Sequence, residues 1–134
     1  CFTYGDGVSN VDISKSIEFH RHHGKKATIT GVTPPGRYGA LVTSGNEVSD
    51  FTEKYPGDLG HLIDVGFFVL KPSCLDLIQS LDDSWEGRPL TQLAHDGDLQ
   101  VYRHEGFWHA MDTLRDKTHL EDLWARGEVP WKVW

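Results

Sequence analysis

Residues 1–32 read CFTYGDGVSNVDISKSIEFHRHHGKKATITGV and decide the fold class of this chain. The opening CFTY is β-prone, and a Gly-Asp-Gly turn stops it. Asp12 can then cap a helix that ends at Gly24, and residues 26–32 are β-branched and apolar enough for a buried strand. Strand, helix and strand in this order predict a parallel βαβ unit with a right-handed crossover, and therefore an α/β fold.

The rest of the chain predicts a hairpin and further elements of a mixed sheet. Residues 38–43 and 47–53 flank the turn sequence SGN as the hairpin. The other predicted strands are 62–70, 99–104 and 106–108, and the other predicted helices are a short one opened by Pro72, 85–94 and 114–126. Because no linker or repeat divides the chain, residues 1–134 are predicted to belong to a single domain.

Composition and charge exclude several classes of function. The 134 residues are 38% hydrophobic and 25% charged, which is ordinary for a globular protein. A net charge of −7 provides no basic field for nucleic acid or an anionic membrane, and no apolar stretch approaches the ~20 residues that span a bilayer. Two isolated cysteines fit buried thiols in a reducing compartment, so we expect a cytoplasmic protein.

Asp6 is the first candidate for chemistry, because it stands between two glycines directly after the first strand. Gly-Asp-Gly is also good turn composition, so a plain turn is the alternative interpretation. The glycines allow a ligand to approach the backbone closely, and α/β sheets bind ligands at the carboxyl ends of their strands. An unpaired carboxylate there suits Mg²⁺, which prefers one or two carboxylates together with phosphate oxygens.

Asp112 is the second candidate metal ligand, and it immediately precedes the last predicted helix. Both Asp112 and Thr113 are good N-cap residues, so capping is the competing interpretation. A carboxylate at a helix N-terminus beside the aromatic pair Phe107-Trp108 could also hold a metal that is bound to phosphate.

Glu53-Lys54 and Gly39 are candidates for binding a substrate. An exposed ion pair of little energetic value is the alternative for Glu53-Lys54, but a Lys ammonium can hold a phosphate while Glu accepts hydrogen bonds from sugar hydroxyls. Gly39 either begins the hairpin or lets the main chain contact a flat ligand. His20 and His23 could share one helix face, where a solvated helix end is favoured over a metal site.

The chain resembles the C-terminal portion of the glucose-1-phosphate cytidylyltransferases, also called CDP-glucose pyrophosphorylases, a branch of the sugar nucleotidyltransferase family. The motifs that carry the resemblance run in order through the whole chain: TYGDGV at 3–8, PPGRYGA at 34–40, FTEK at 51–54, GFFVL at 66–70, YRH at 102–104, GFW at 106–108, MDTLRDK at 111–117 and PWKVW at 130–134. The MDTLRDK and PWKVW runs are typical of the cytidylyl branch.

The resemblance implies a Rossmann-like mixed sheet of the nucleotidyltransferase type, with the N-terminal half missing, and the synthesis of CDP-glucose and pyrophosphate from CTP and glucose 1-phosphate. It implies that Asp6 and Asp112 hold Mg²⁺ and that Lys54 holds the sugar phosphate. The glucose pocket would be lined by Gly39, Glu53, Asp64, Val65 and Gly66. Nucleotide-sugar biosynthesis for the O-antigen of lipopolysaccharide and assembly as a homo-oligomer are further expectations.

Two features separate this sequence from that pattern. Asp64-Val65 stands where the family usually has Asn-Gly, so an amide that can donate becomes a carboxylate that only accepts when ionised. Tyr55 also stands between Lys54 and Pro56, where the family continues directly with Pro. Since residue 1 is not Met and a strand is already under way there, we expect a fragment of a longer protein. The resemblance implies that this fragment is inactive alone, because the family's glycine-rich loop and basic residues that hold the CTP triphosphate have no counterpart in it. A non-catalytic module that binds sugar phosphate or supports assembly is the alternative function.

Overall fold

A computed structural model describes residues 1–33, 40–44, 47–52 and 62–133 of the chain. The strands are β1 (Phe2–Thr3), β2 (Gly7–Ser9), β3 (Ala27–Val32), β4 (Ala40–Ser44), β5 (Glu47–Thr52), β6 (Ile63–Leu70), β7 (Leu99–Arg103) and β8 (Trp108–Ala110). The helices are α1 (Ile13–His23), α2 (Arg88–His95) and α3 (Leu114–Ala125), with a 3₁₀ helix at Pro72–Leu77. None of the helices in this described part has the length and apolar character needed to cross a bilayer.

The central sheet is mixed, as predicted, and the two strands of the predicted βαβ unit are parallel, with another strand between them. The order is β1-β6-β3-β7, with β6 antiparallel to both β1 and β3, and β3 parallel to β7. Strands β1 and β3 therefore run in the same direction, but they are not neighbours because β6 lies between them. The inserted strand is the apolar IDVGFFVL, whose Val65 and Phe68 are buried, and its partners lie far away in sequence.

The two remaining sheets are two-stranded ribbons. Strands β4 and β5 form the predicted hairpin, with Ala40 opposite Thr52. Strands β2 and β8 pair antiparallel, with Gly7 opposite Ala110 and Ser9 opposite Trp108. The second ribbon joins the beginning of the chain to its last part. Strand β8 begins two residues after the predicted start of that element.

The core lies where the central sheet meets α2 and the 3₁₀ helix. Ala27 and Cys74 are fully buried there together with Leu93. The thiol of Cys74 donates to the carbonyl of Lys26 over 3.2 Å, and burial raises the pKa of that thiol. The predicted buried thiol is thus confirmed for Cys74, whereas Cys1 is exposed, and neither cysteine forms a disulfide.

Helix α1 follows the local signals of the sequence. The Lys15 amide donates to Asp12 Oδ1 over 2.9 Å, and the helix ends at Gly24, which has a φ of 70°. Its buried face lies on β3, where His20 Nδ1 and His23 Nε2 stand 2.9 and 2.8 Å from Thr28 Oγ1. The two imidazoles do share a face, but the predicted solvated helix end is wrong for His20, which is buried against this hydroxyl.

Helix α3 is only partly buried. The spacing of Leu114, Leu120, Leu123 and Trp124 predicts an apolar stripe against the core, but Leu114 is 78% exposed and Trp124 is 56% exposed. Leu120 alone of the four is buried. In the tail after the helix, Trp131 packs on Phe107 with ring centroids 5.4 Å apart.

Candidate active site

The β2–β8 ribbon brings the two predicted metal ligands together. Its pairing continues beyond Gly7 and Ala110, because the Met111 amide donates to the Asp6 carbonyl over 2.7 Å. Asp112 follows Met111 directly, so the two carboxylates leave the backbone from adjacent positions at one end of the ribbon. The turn that carries Asp6 lies after β1, as the sequence predicted.

Thr113, and not Asp112, caps helix α3. The Asp116 amide donates to Thr113 Oγ1 over 3.2 Å, and the Thr113 amide donates to Asp116 Oδ2 over 3.0 Å, which completes a capping box. Capping therefore does not use the carboxylate of Asp112. Both Asp6 and Asp112 are exposed, and neither side chain makes a hydrogen bond or ion pair with another residue in the described part of the chain.

The segment expected to contact the sugar lies against the same turn. The Tyr4 amide donates to the Gly66 carbonyl over 2.9 Å. A Cβ on Gly7 would stand 3.5 Å from the Val65 carbonyl oxygen and 3.4 Å from Trp108 Nε1. Residues 64–66 are therefore packed between Tyr4 and the first residue of the ribbon, next to Asp6.

Gly66 has a conformation and a packing that only glycine satisfies. Its φ is +76°, and a Cβ there would stand 2.5 Å from Cδ2 of the Tyr4 ring. The Gly66 amide donates to Asp64 Oδ1 over 2.8 Å, which closes a tight turn within β6. Since this bond needs only an acceptor oxygen, Asp64 performs here a task that the amide oxygen of Asn could also perform.

Tyr4 and Glu86, which were not predicted as site residues, contribute to the electrostatics of this segment. The hydroxyl of Tyr4 is buried, and among the described residues no group meets it with hydrogen-bond geometry. Burial raises its pKa, and the neighbouring carboxylates of Glu86 and Asp64 raise it further. Burial also raises the pKa of Asp64, with a smaller contribution from the charge of Glu86. Nothing in the sequence around Glu86, which precedes α2, predicts that its carboxylate lies near Tyr4.

Asp6 and Asp112 fit the needs of a hard divalent cation. In residues 1–33 and 62–133 no three His, Cys, Asp or Glu side chains gather as a complete metal cage. Two unengaged carboxylates held at neighbouring positions suit Mg²⁺, because this ion usually keeps waters and phosphate oxygens and takes only one or two protein ligands. Glu53, Lys54 and Gly39 lie outside the described residues.

Comparison with known proteins reveals one family. The family model described as "Nucleotidyl transferase" matches residues 2–113. Glucose-1-phosphate cytidylyltransferase of Salmonella typhi is 54% identical over 133 residues, which are 99% of this chain and 51% of that protein. Mannose-1-phosphate guanyltransferase beta-A of Xenopus laevis is 32% identical over 122 residues, or 88% of this chain and 33% of that protein.

The fold comparison agrees with these similarities. A crystal structure of a candidate glucose-1-phosphate thymidylyltransferase from Bacillus anthracis matches with a TM-score of 0.60 and 17% identity. The match covers 89% of this chain and 51% of the other. The chain spans about half the length of the cytidylyltransferases it matches.

Proposed function

Because the chain belongs to the nucleotidyl transferase family, we propose that it forms part of an enzyme that makes CDP-glucose and pyrophosphate from CTP and glucose 1-phosphate. One observation carries this proposal: the 2.7 Å bond from the Met111 amide to the Asp6 carbonyl, which puts Asp6 and Asp112 at neighbouring backbone positions at one end of the ribbon. The 54% identity to a protein named glucose-1-phosphate cytidylyltransferase supports the choice of substrates.

In the proposed reaction, a phosphate oxygen of glucose 1-phosphate attacks the α-phosphorus of CTP. A new P–O bond forms as the bond to the departing pyrophosphate breaks. Asp6 and Asp112 would hold Mg²⁺, and Lys54 would hold the sugar phosphate for in-line attack. The bound ion supplies charge neutralisation for the crowded phosphates. The residues of this chain act by binding and orienting the reactants, and no covalent nucleophile is required.

The sugar would be recognised by Gly39, Glu53 and the segment Asp64–Val65–Gly66. Strand β6 fixes that segment through the bond from the Gly66 amide to Asp64 Oδ1. We propose that glucose specificity survives the change from Asn to Asp, because the acceptor that closes the turn is retained. The cytosine-binding part of the enzyme would lie in the length of the relatives that this chain does not match.

We also propose a cytoplasmic homo-oligomer. Large apolar side chains are exposed in α3 and in the tail after it, namely Leu114, Trp124 and Val133. A contact between copies would remove this surface from water. Nothing in the proposed chemistry requires nucleic acid or a membrane, and the acidic charge disfavours both.

The test is pyrophosphate release by the protein expressed with its upstream coding sequence, in the presence of glucose 1-phosphate and Mg²⁺. CTP is compared with UTP and dTTP, and Asp112→Asn is compared with Asp122→Asn. Asp122 is an exposed carboxylate on α3, the helix that follows Asp112, so the control makes the same change of charge away from the site. We expect release that depends on CTP and is lost only in Asp112→Asn. A folded protein that releases no pyrophosphate with any nucleotide would favour the non-catalytic binding module.

A further inference from the structure

The carboxylate of Asp116 links the helix after Asp112 to the strand before it. One oxygen, Oδ2, accepts from the Thr113 amide at 3.0 Å and from Thr113 Oγ1 at 2.7 Å. The other oxygen, Oδ1, lies 3.3 Å from His109 Nε2 on strand β8. A capping box needs only the contact of Oδ2 with the Thr113 amide. The contact of Oδ1 with His109 is additional, and it crosses from α3 to the ribbon.

The ring of His109 is well placed to receive this contact. Its Nε2 atom is buried, and the separation from Asp116 is that of an ion pair without the angle of a full hydrogen bond. On the backbone, His109 pairs with Val8 of β2. The ring also packs on His119 of α3, with centroids 5.1 Å apart. His109 therefore contacts α3 twice while its own main chain is held in the ribbon.

The Asp116 side chain is less exposed to solvent than the aspartate that caps α1. The side chain of Asp116 is 21% exposed, whereas that of Asp12, which caps α1, is 45% exposed. The hydrogen bonds from Thr113 lower the pKa of Asp116, and the contact with His109 lowers it further. An ionised carboxylate can only accept, so the contact is attractive when Nε2 of His109 carries the proton.

The main chain at Asp112 is consequently held from both sides. On one side the Met111 amide is bonded to the Asp6 carbonyl, and on the other Thr113 is bonded twice to Asp116. The contact between Asp116 and His109 closes the loop by tying the helix to the ribbon. Without it, the ribbon and the helix would be joined at this point only through residues 111–113 and the ring contact between His109 and His119.

We infer that Asp116 is a positioning residue for Asp112: through Thr113 on one side and His109 on the other, it fixes the main chain that presents the Asp112 carboxylate beside Asp6. This inference rests on the proposed function, because it assumes that Asp6 and Asp112 hold a divalent cation. Asp116 does not itself touch the ion. Its effect is to keep two ligands at one spacing, which a bound cation requires.

The test measures metal binding directly in the full-length protein, with Mn²⁺ titrated and followed by electron paramagnetic resonance. His109→Leu removes the contact and leaves the capping box intact. His109→Gln returns an N–H donor at similar reach. Asp116→Asn keeps one acceptor oxygen for Thr113 and replaces the other with an amide group that cannot accept from His109.

Two further variants separate the possible failures. Asp112→Asn tests the metal site itself, and Asp12→Ala removes the N-cap side chain of a different helix, α1. We expect Asp112→Asn to abolish Mn²⁺ binding, and we expect His109→Leu and Asp116→Asn to raise the dissociation constant for Mn²⁺ about 10-fold. His109→Gln should recover most of the affinity that His109→Leu loses. Asp12→Ala should leave the dissociation constant unchanged. Circular dichroism confirms that each variant is folded, and the His109 pair carries the test if Asp116→Asn does not fold.

Three results would overturn the inference. If Asp112→Asn abolishes binding while folded His109→Leu matches the parent, the proposed metal site stands and the positioning role is wrong. If Asp12→Ala weakens binding as much as His109→Leu, the effect is a general loss of stability and not positioning. If Asp112→Asn leaves Mn²⁺ binding intact, the proposed metal site fails and the positioning role fails with it.

Discussion

The Met111 amide donates to the Asp6 carbonyl over 2.7 Å, and this bond joins the first turn of the chain to the residue before Asp112. It uses only main-chain atoms, so the meeting of the two aspartates depends on the pairing of β2 with β8. The pairing does not depend on the side chains of the two aspartates. Substitutions of these side chains should therefore affect activity without a large loss of stability.

The first prediction tests that separation with neighbouring residues. Thr113→Ala removes the helix cap and should cost about 1 kcal/mol of unfolding free energy. Asp112→Asn should cost less than about 0.5 kcal/mol, as is usual for exposed residues outside specific contacts, yet it should abolish turnover of the full-length enzyme. Urea denaturation and pyrophosphate release measure the two effects. A large loss of stability in Asp112→Asn would show that its carboxylate has a structural role.

The second prediction concerns Gly66, where a side chain would meet the Tyr4 ring. Gly66→Ala should cost at least about 2 kcal/mol, because it combines a positive φ with a clash against a packed ring. Gly97→Ala is the matched control, since Gly97 has a φ of +70° but no atom within 4 Å of the added Cβ. The control should show the conformational cost alone, about 1 kcal/mol. Equal costs in urea denaturation would mean that Tyr4 moves aside freely.

The third prediction concerns the pH dependence that Asp64 creates. Burial raises its pKa above 3.8 in the folded state, so the folded state binds more protons than the unfolded one and stability falls as the pH rises through that window. Asp64→Asn keeps the acceptor for the Gly66 amide and should lose this pH dependence. The variant should therefore gain stability relative to the parent as the pH rises from 4 to 7.

Asp64→Ala provides the comparison, because it removes the acceptor as well as the charge. It should be less stable than Asp64→Asn at every pH, as expected when a buried amide loses its partner. If Asp64→Asn and Asp64→Ala are equally stable, the bond to the Gly66 amide contributes nothing.

The fourth prediction concerns the histidines on Thr28. Burial lowers the pKa of His20 and His23, so the unfolded state binds more protons below pH 6.5. The stability that these residues contribute is therefore fully present above pH 6.5 and is lost as the pH falls from there through the lower pKa of the folded state. His20→Gln should make the dependence of unfolding free energy on pH shallower between pH 7 and 5. An unchanged slope would show that His20 is protonated equally in both states.

Local signals were sufficient to predict α1. Asp12 and Gly24 each have one strongly favoured role at a helix end, and the structure uses both. The start of α3 could not be predicted in this way, because the adjacent residues Asp112 and Thr113 are both good N-caps. The bond that the Asp116 amide donates to Thr113 Oγ1 decides between them, together with the bond that the Thr113 amide donates to the Asp116 carboxylate. Both bonds depend on the conformation of the turn.

Relationships between distant residues could not be predicted in the same way. The strongly apolar run of residues 62–70 identified β6 as a strand but carried no information that it would lie between β1 and β3. The environment of the Tyr4 hydroxyl similarly depends on Glu86, which a loop before α2 brings from far along the chain. The aspartates could be proposed as metal ligands because their residue type and turn context are local, whereas their neighbouring backbone positions result from strand pairing.

The β2–β8 ribbon also determines when the site can form. Gly7 pairs with Ala110, so almost the whole chain must leave the ribosome before this ribbon can close. Closing so long a loop costs entropy that the three-residue strands cannot offset alone, and the central sheet must first bring the two ends near each other. Assembly of the carboxylate pair is therefore a late folding event, and a nascent or truncated chain ending before β8 can carry Asp6 in place without a partner.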